Sequence, residues 1–418
     1  MKPFTVAVGD QVLEDLSKRL ARTRWPDQVE GADWDYGTEL SYLRGLVDYW
    51  LTGFDWRRQE GVLNQLPQFR AKIDGLDIHF VYIRGTGPAS FPLILTHGWP
   101  SSFFEMYKIV WGLADPAGHG GDPTDAFDVI VPSLPGFGFS ERPMRRGYLP
   151  VDPLWRNLMT EVLGYRRFGA YGGDIGARVT SALGRFHADV VAGIQLGSVD
   201  LEWPQPLPEK ETLSDAERDY LERVKRWERE EGAYGDIQAT RPQSLAYGLN
   251  DSPAGLAAWI VEKFRAWSDC GGDPESRFTK DELLTNVMIY WTTQTINSSM
   301  RKYFESRHNP TPNPLKLGER IEVPTGIAMF PGEKDLVVPR EWAERCYNIQ
   351  RWTDMPRGGH FPALEEPDLL VQEIRAFFRG LRPIRYGGRR PSMVQIVASA
   401  AETDAPGQRR SLGTRRHK

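Results

Sequence analysis

The segment that most constrains this chain is residues 172–176, which read Gly-Gly-Asp-Ile-Gly. A short run of β type precedes it at residues 167–171, and a helix-like run follows at residues 177–187. A nucleophile flanked by small residues, on a sharp turn from a strand into a helix, is typical of a nucleophile elbow. Small neighbours are needed because the turn is strained and holds the nucleophile's backbone near positive φ. The segment therefore predicts a nucleophile at Asp174.

The residue type at position 174 redirects the chemistry of such an elbow. Serine is the usual occupant, whereas an aspartate carboxylate attacks carbon and forms an ester that water must then open. The alternative interpretation is a glycine-rich loop whose aspartate caps the following helix. The segment alone leaves both interpretations open, so the choice depends on the rest of the chain.

Composition excludes several classes of protein. The chain has 418 residues, 40% hydrophobic and 26% charged, as is ordinary for globular proteins of two or three domains. The net charge of -4 predicts no nucleic-acid partner. No apolar run reaches about 18 residues, so no membrane span is predicted. The two cysteines fit a reducing cytoplasm and have no metal-binding spacing, so we expect a cytoplasmic protein without a metal.

The spacing of apolar residues changes near residue 67. Residues 1–65 have helical spacing, and the first helix is predicted to end at Trp25-Pro26. A β-hairpin is predicted next, around the turn at Asp74-Gly75. Continuous apolar runs then alternate with helical patterns, which predicts a mostly parallel sheet with helices on both faces. These runs lie at residues 92–96, 127–131, 167–171, 191–196, 324–330 and 348–352.

A long helix-like interval at residues 201–320 interrupts this alternation. An insertion of that size between two strands predicts a helical cap over the strand ends. The predicted units are therefore an N-terminal helical extension at 1–75, the first part of an α/β core at 76–200, a cap at 201–320, the second part of the core at 321–383, and a basic, disordered tail at 384–418.

An aspartate nucleophile needs a base that activates water for the second step, and histidine titrates in the right range. His360 stands in a glycine loop at residues 357–361, after the last predicted strand and before the final helix at 367–378. In this fold class the chain order is nucleophile, acid, histidine. His360 is therefore the predicted base, and His97 is expected to organise the loop after its own strand.

The base needs a carboxylate that holds its tautomer, and two backbone N–H groups should stabilise the oxyanion. Glu333 and Asp335 both follow the strand that ends at residue 330. Glu333 is preferred because it is closer to the strand end, and Asp335 remains the alternative. The predicted oxyanion donors are the N–H groups of Ile175 and Trp99.

These motifs occur together with others in one order along the chain. They include His-Gly-Trp-Pro at 97–100, Pro-Ser-Leu-Pro-Gly-Phe-Gly-Phe-Ser at 132–140, and segments of the interval at 249–253 and 284–293. From about residue 3 to 383 the chain resembles the microsomal-type epoxide hydrolases of the α/β-hydrolase superfamily. The resemblance implies an α/β-hydrolase fold with a helical cap and an N-terminal helical region that wraps the core.

The resemblance also implies that two cap tyrosines, Tyr234 and Tyr303, hold the epoxide oxygen. Ring opening releases an alkoxide, which is a poor leaving group unless an acid donates to it, and a phenol with a pKa of about 10 is protonated at pH 7. No cofactor is implied. The membrane anchor of the vertebrate enzymes is absent, so a soluble enzyme is expected. Ile175 replaces a tryptophan common in relatives, which should alter the pocket wall.

The predicted function is an epoxide hydrolase that forms a vicinal diol through an Asp174 ester, which water activated by His360 then opens. Its partners are a small epoxide and water, and the aromatic-rich cap favours a bulky apolar or aryl epoxide. A cis epoxide is the other substrate type expected. Detoxification and natural-product biosynthesis both remain open, as does a homodimer. A haloalkane dehalogenase with Trp99 as a halide donor is one alternative, and a non-catalytic ligand-binding hydrolase fold is another.

Overall fold

The computed structural model describes residues 1–199, 212–310 and 315–382. The predicted tail at 384–418 and the start of the predicted cap lie outside these residues. The strands are β1 (Lys2–Phe4), β2 (Gln68–Ile73), β3 (Leu76–Ile83), β4 (Phe91–Thr96), β5 (Phe127–Pro132), β6 (Phe168–Gly172), β7 (Val191–Leu196), β8 (Ile321–Met329) and β9 (Tyr347–Asp354).

The helices alternate with the later strands. They are α1 (Asp10–Ala21), α2 (Leu40–Thr52), α3 (Trp56–Asn64), α4 (Val110–Ala114), α5 (Asp152–Asn157), α6 (Ile175–Phe186), α7 (Asp215–Glu230), α8 (Ala233–Thr240), α9 (Pro242–Asp251), α10 (Pro253–Trp267), α11 (Lys280–Thr293), α12 (Ile296–His308), α13 (Arg340–Glu344), α14 (Pro362–Glu365) and α15 (Pro367–Arg379).

The strands form one mixed sheet in the order β1-β2-β3-β5-β4-β6-β7-β8-β9. The pairs from β5 through β9 are parallel, and the pairs that involve β1, β2 or β3 are antiparallel. Strands β5, β6 and β7 are buried along their whole length, as expected for a parallel sheet covered on both faces. The predicted α/β architecture is confirmed.

The predicted hairpin is confirmed, and two details of the N-terminal region were wrong. Ile73 pairs with Leu76, and the intervening Asp74 and Gly75 have φ of 48° and 89°, as in a type I′ turn. Residues 2–4 were assigned to a helical region but form β1, because three residues are too few to show a period. Helix α1 ends at Ala21, before the predicted boundary. The next backbone N–H donates to carbonyl oxygens of the helix's last turn.

Six helices, α7 to α12, lie between β7 and β8 in the described chain. Both α7 and α11 begin with a capping box, Ser214 with Glu217 and Thr279 with Glu282, which fixes where each helix starts. Helix α12 packs against α8 and α9, and α10 contacts α1 and α2. The Tyr49 hydroxyl of α2 donates to Asp281 of α11 at 2.8 Å, so the N-terminal helices are bonded to this helical group.

Two searches of the described residues were negative. None of the helices there has both the length and the apolar character that a bilayer crossing requires. The same residues contain no cluster of three or more histidine, cysteine, aspartate or glutamate side chains with metal-binding geometry.

Candidate active site

The turn from β6 into α6 holds Asp174 in a strained backbone conformation. Its φ is 50° and its ψ is -128°, a combination that a non-glycine residue rarely adopts. The side chain makes no capping hydrogen bond to α6. Its Oδ1 atom instead accepts the Trp99 backbone N–H at 2.8 Å, and its own N–H donates to the Ser198 hydroxyl at 2.9 Å. The turn therefore directs the carboxylate at the loop after β4.

Close backbone contacts explain two of the glycines around Asp174. A Cβ atom on Gly172 would lie 2.2 Å from the Gly176 carbonyl oxygen, and one on Gly176 would lie 2.0 Å from the Thr96 carbonyl oxygen. Gly173 differs, because the nearest atom to its hypothetical Cβ is 4.0 Å away. Two of the three glycines in the motif are thus required by space, as the elbow interpretation expects.

His360 lies between two carboxylates. Its Nδ1 atom is 3.0 Å from Glu333 Oε1, and its Nε2 atom is 3.7 Å from Asp174 Oδ2, too far for a hydrogen bond. Asp335 points elsewhere and forms an ion pair with Arg226 at 2.6 Å. The structure therefore brings Asp174, His360 and Glu333 together and leaves Asp335 outside the group.

The charges in this group reinforce one another. Burial by itself disfavours ionisation of Asp174, but the interaction with His360 and the N–H groups of Ile175 and Trp99 outweigh it, so the pKa of Asp174 is below its usual value. Burial likewise lowers the pKa of His360, but Glu333 and Asp174 outweigh burial and raise that pKa well above its usual value. The resting site therefore favours an ionised Asp174 beside a protonated His360.

The loop after β4 supplies the predicted oxyanion donor. Trp99 N–H points at Asp174, and a Cβ on Gly98 would lie 2.3 Å from Asp174 Oδ1, so only glycine fits beside the carboxylate. His97 Nε2 accepts the Leu134 N–H at 3.2 Å, and burial lowers the His97 pKa to about 4. A neutral His97 thus fastens this loop to the next one, which is the organising role that the sequence predicts.

Both predicted tyrosines come from the helices between β7 and β8 and line a cavity together with Asp174. The Tyr234 ring stacks on the Trp99 ring with centroids 5.1 Å apart, and Tyr303 meets the same ring edge-on at 6.0 Å. Burial first, then the proximity of Tyr234 and Asp174, raises the pKa of Tyr303 well above its usual value. Tyr303 therefore keeps its proton at neutral pH and can donate it.

Asp174 opens onto two adjoining cavities. One has a volume of about 670 Å³ and is lined by His360, Glu333 and Trp267 among others. The second has a volume of about 640 Å³ and includes Tyr303. Asp174 and Tyr234 line both cavities, so a small molecule in either would contact the carboxylate and one phenol.

Residues that the sequence did not identify support the site from below and above. Glu105 is buried beneath the Trp99 loop, where it interacts with Ser101 and the Gly98 N–H, and burial raises its pKa to about 7. Trp267 packs against the His360 ring at 5.0 Å and accepts the His360 backbone N–H through its carbonyl at 2.9 Å. A charged residue within the apolar run at 103–106 was the one sequence signal available for Glu105.

Comparison with protein families and solved structures gives consistent matches. Residues 1–106 match the family described as "Epoxide hydrolase N terminus", and residues 93–373 match the "Alpha/beta hydrolase family". A protein from Stigmatella aurantiaca is 43% identical over 383 residues, which cover 91% of this chain and 85% of that protein. Epoxide hydrolase 1 of Sus scrofa is 37% identical over 414 residues, covering 90% of this chain and 88% of that protein.

A solved structure agrees over nearly the same extent. The Aspergillus niger epoxide hydrolase superimposes with a TM-score of 0.78 at 31% sequence identity, covering 91% of this chain and 96% of that one. The predicted fold class, an α/β-hydrolase fold, is confirmed by the family match together with this superposition.

Proposed function

The chain belongs to the epoxide hydrolase family of the α/β-hydrolase fold, and from that premise we propose that it converts an epoxide to a vicinal diol through an ester on Asp174. The observation that carries the proposal is the placement of one ionised carboxylate between a backbone N–H donor, an imidazole and two phenols. Each of these groups has a distinct task in a two-step hydrolysis.

The first step uses the free oxygen of the nucleophile. Asp174 Oδ1 is held by Trp99 N–H, which leaves Oδ2 to attack an epoxide carbon. The new C–O bond forms as the ring C–O bond breaks, and the ring oxygen takes a proton from Tyr303 or Tyr234. The high pKa of Tyr303 keeps that proton available until negative charge develops on the ring oxygen.

The second step depends on a change in the charge beside His360. Alkylation neutralises Asp174, and this removes one of the two carboxylates that raise the His360 pKa. The His360 imidazolium then gives up its proton and the phenolate takes one up, by exchange through solvent. The neutral His360 takes a proton from water, and the hydroxide attacks the Asp174 carbonyl carbon. Glu333 holds the resulting imidazolium, with its oxygen 3.0 Å from Nδ1.

The tetrahedral intermediate carries its negative charge on Oδ1, where the donors already stand. Trp99 N–H lies 2.8 Å from this atom in the resting site, and Ile175 N–H also interacts with the carboxylate. Removing one such donor typically costs about 100-fold or more in rate. Collapse of the intermediate breaks the ester bond, and the diol oxygen takes the proton from His360. The Asp174 carboxylic acid that remains passes its proton to His360, which restores the resting site.

A single-turnover experiment in ¹⁸O-labelled water tests the covalent route. With enzyme in excess, the first diol should contain an unlabelled oxygen from Asp174, and the label should appear in the peptide that contains this residue. The variant His360→Gln should accumulate an ester of the mass of enzyme plus epoxide. A first-turnover diol that carries one ¹⁸O atom would reject the covalent route, because the other diol oxygen always comes from the epoxide.

Assays on the wild type and on His360→Gln also distinguish the two alternative functions that the sequence leaves open. A haloalkane dehalogenase would release halide from chloroalkanes faster than it opens epoxides. A non-catalytic binding protein would show no mass shift with an epoxide, in the wild type or in His360→Gln. We expect epoxide turnover without comparable halide release.

A further inference from the structure

A third cavity lies beside the catalytic ones and has no part in the proposed mechanism. This side pocket has a volume of about 510 Å³ and lies between residues 143–149, the start of α9 and one face of α12. Ser298, Arg301 and Glu305 of α12 line it, at the i, i+3 and i+7 positions of one helical stripe. Tyr303 lies on another stripe of the same helix and faces the catalytic cavity.

The side pocket adjoins the cavity of the nucleophile. Tyr148, Val151 and Lys302 line both the side pocket and the cavity that contains Asp174 and Tyr303. A ligand in the side pocket would therefore touch the wall of the catalytic cavity.

The lining carries an excess of positive charge. Four arginines contribute to it, and they are Arg145, Arg146, Arg241 and Arg301. Glu305 is the acid among the described lining residues, and its Oε2 already accepts the Gly147 N–H at 2.9 Å and the Asn309 amide at 2.7 Å. The positive charge of the arginines therefore exceeds the negative charge that Glu305 contributes to the pocket.

Arg301 is the lining arginine whose charged form the pocket disfavours. It is half-buried, and burial together with the nearby Arg142 lowers its pKa, against the opposing effect of Glu305. A guanidinium that loses hydration next to a like charge is unfavourable unless an anion accompanies it. Within the described chain, the carboxylate near Arg301 is that of Glu305, and this carboxylate already accepts hydrogen bonds from other groups.

Apolar side chains also contribute to the lining, and they include Leu134, Pro135, Leu149, Val151 and Phe304. An apolar floor with guanidinium groups fits a molecule that has an apolar body and an anionic end, because guanidinium matches the planar carboxylate. We infer that the side pocket binds a carboxylate carried on an apolar chain. The carboxylate belongs either to the far end of the epoxide substrate or to a separate acid. The first of these assignments rests on the proposed function.

Calorimetric titration of the full chain with octanoate tests the site itself. Octanoate should bind to the wild type, and the neutral octanamide should bind at least ten-fold more weakly. The variant Arg145→Met/Arg146→Met removes two exposed charges and should weaken octanoate ten-fold or more. The matched control is Arg166→Met/Arg167→Met, an exposed adjacent pair away from the three cavities, and it should bind octanoate like the wild type.

Kinetics on paired epoxides then identify the source of the carboxylate. Terminal epoxides that end in a carboxylate are compared with their methyl esters over a series of chain lengths. An acid preference of about ten-fold in kcat/KM, lost in Arg145→Met/Arg146→Met, assigns the pocket to the substrate's far end; without it, the occupant is a separate acid.

The inference is overturned if octanoate does not bind, if octanamide binds as well, or if the arginine pair makes no difference to binding. Turnover of a neutral epoxide by the wild type tests the proposed function independently. Its absence would refute that function while the binding result still stood.

Discussion

Replacing Glu333 with Gln should slow the opening of the ester while leaving its formation almost unchanged. Glu333 and His360 are both largely buried, with side-chain exposures of 6% and 11%, and their atoms lie 3.0 Å apart. The change preserves shape and replaces a hydrogen bond to a charged group with a neutral one. Such bonds contribute about 1.5–3 kcal/mol and about 1 kcal/mol respectively, so the barrier to hydrolysis should rise by about 1–2 kcal/mol.

This difference corresponds to a hydrolysis rate about 5- to 30-fold slower. Asp335→Asn is the matched control, because it makes the same chemical change two residues away. Asp335 pairs with Arg226 and is 31% exposed, so this variant should stay within about two-fold of the wild type. Rapid-quench single turnovers, with the ester detected by mass, measure both steps.

The pH dependence adds a second measurement. Glu333 is one of the groups that raise the His360 pKa, and the base must be neutral to act. Glu333→Gln should therefore move the acid limb of the hydrolysis step to lower pH, together with a lower plateau. A larger loss in Asp335→Asn, or a slower alkylation step with unchanged hydrolysis in Glu333→Gln, would refute the assignment of Glu333.

Three further outcomes follow from the geometry. Gly172→Ala should lower the melting temperature by several degrees and abolish activity, because the new Cβ would lie 2.2 Å from a backbone oxygen. Gly173→Ala is the control and should change stability little. Equal losses in the two variants would refute the steric explanation of the elbow. In Asp174→Asn the His360 pKa, followed by NMR, should fall, since a charge that raises it is gone; an unchanged value would show that the two groups are not coupled. Glu105 has a pKa of about 7 in the folded chain, against 4.5 for an ordinary glutamate. The free energy of unfolding should therefore fall by about 3 kcal/mol as the pH rises through that interval. Denaturant unfolding of Glu105→Gln at several pH values should lack this pH dependence.

The sequence by itself determined the elements and the order of the motifs. Period and turn residues are local properties, so the Asp74-Gly75 hairpin, the buried strands and the elbow at 172–176 could be predicted from neighbours along the chain. Strand β1 was missed because three residues show no period, and its position depends on pairing with β2. Tyr234 and Tyr303 came from a family resemblance, since an isolated tyrosine carries no local signal.

Only the tertiary structure decided which acid accompanies His360. Glu333 and Asp335 are two residues apart, and one-dimensional spacing cannot say which carboxylate reaches a loop near residue 360. The place of Glu105 beneath the Trp99 loop and the side pocket could not be predicted for the same reason, because burial and cavity walls depend on segments distant in sequence. The strained turn at Asp174 could be predicted because it requires glycines next to it in the sequence, whereas Glu333 and His360 are brought together by tertiary packing.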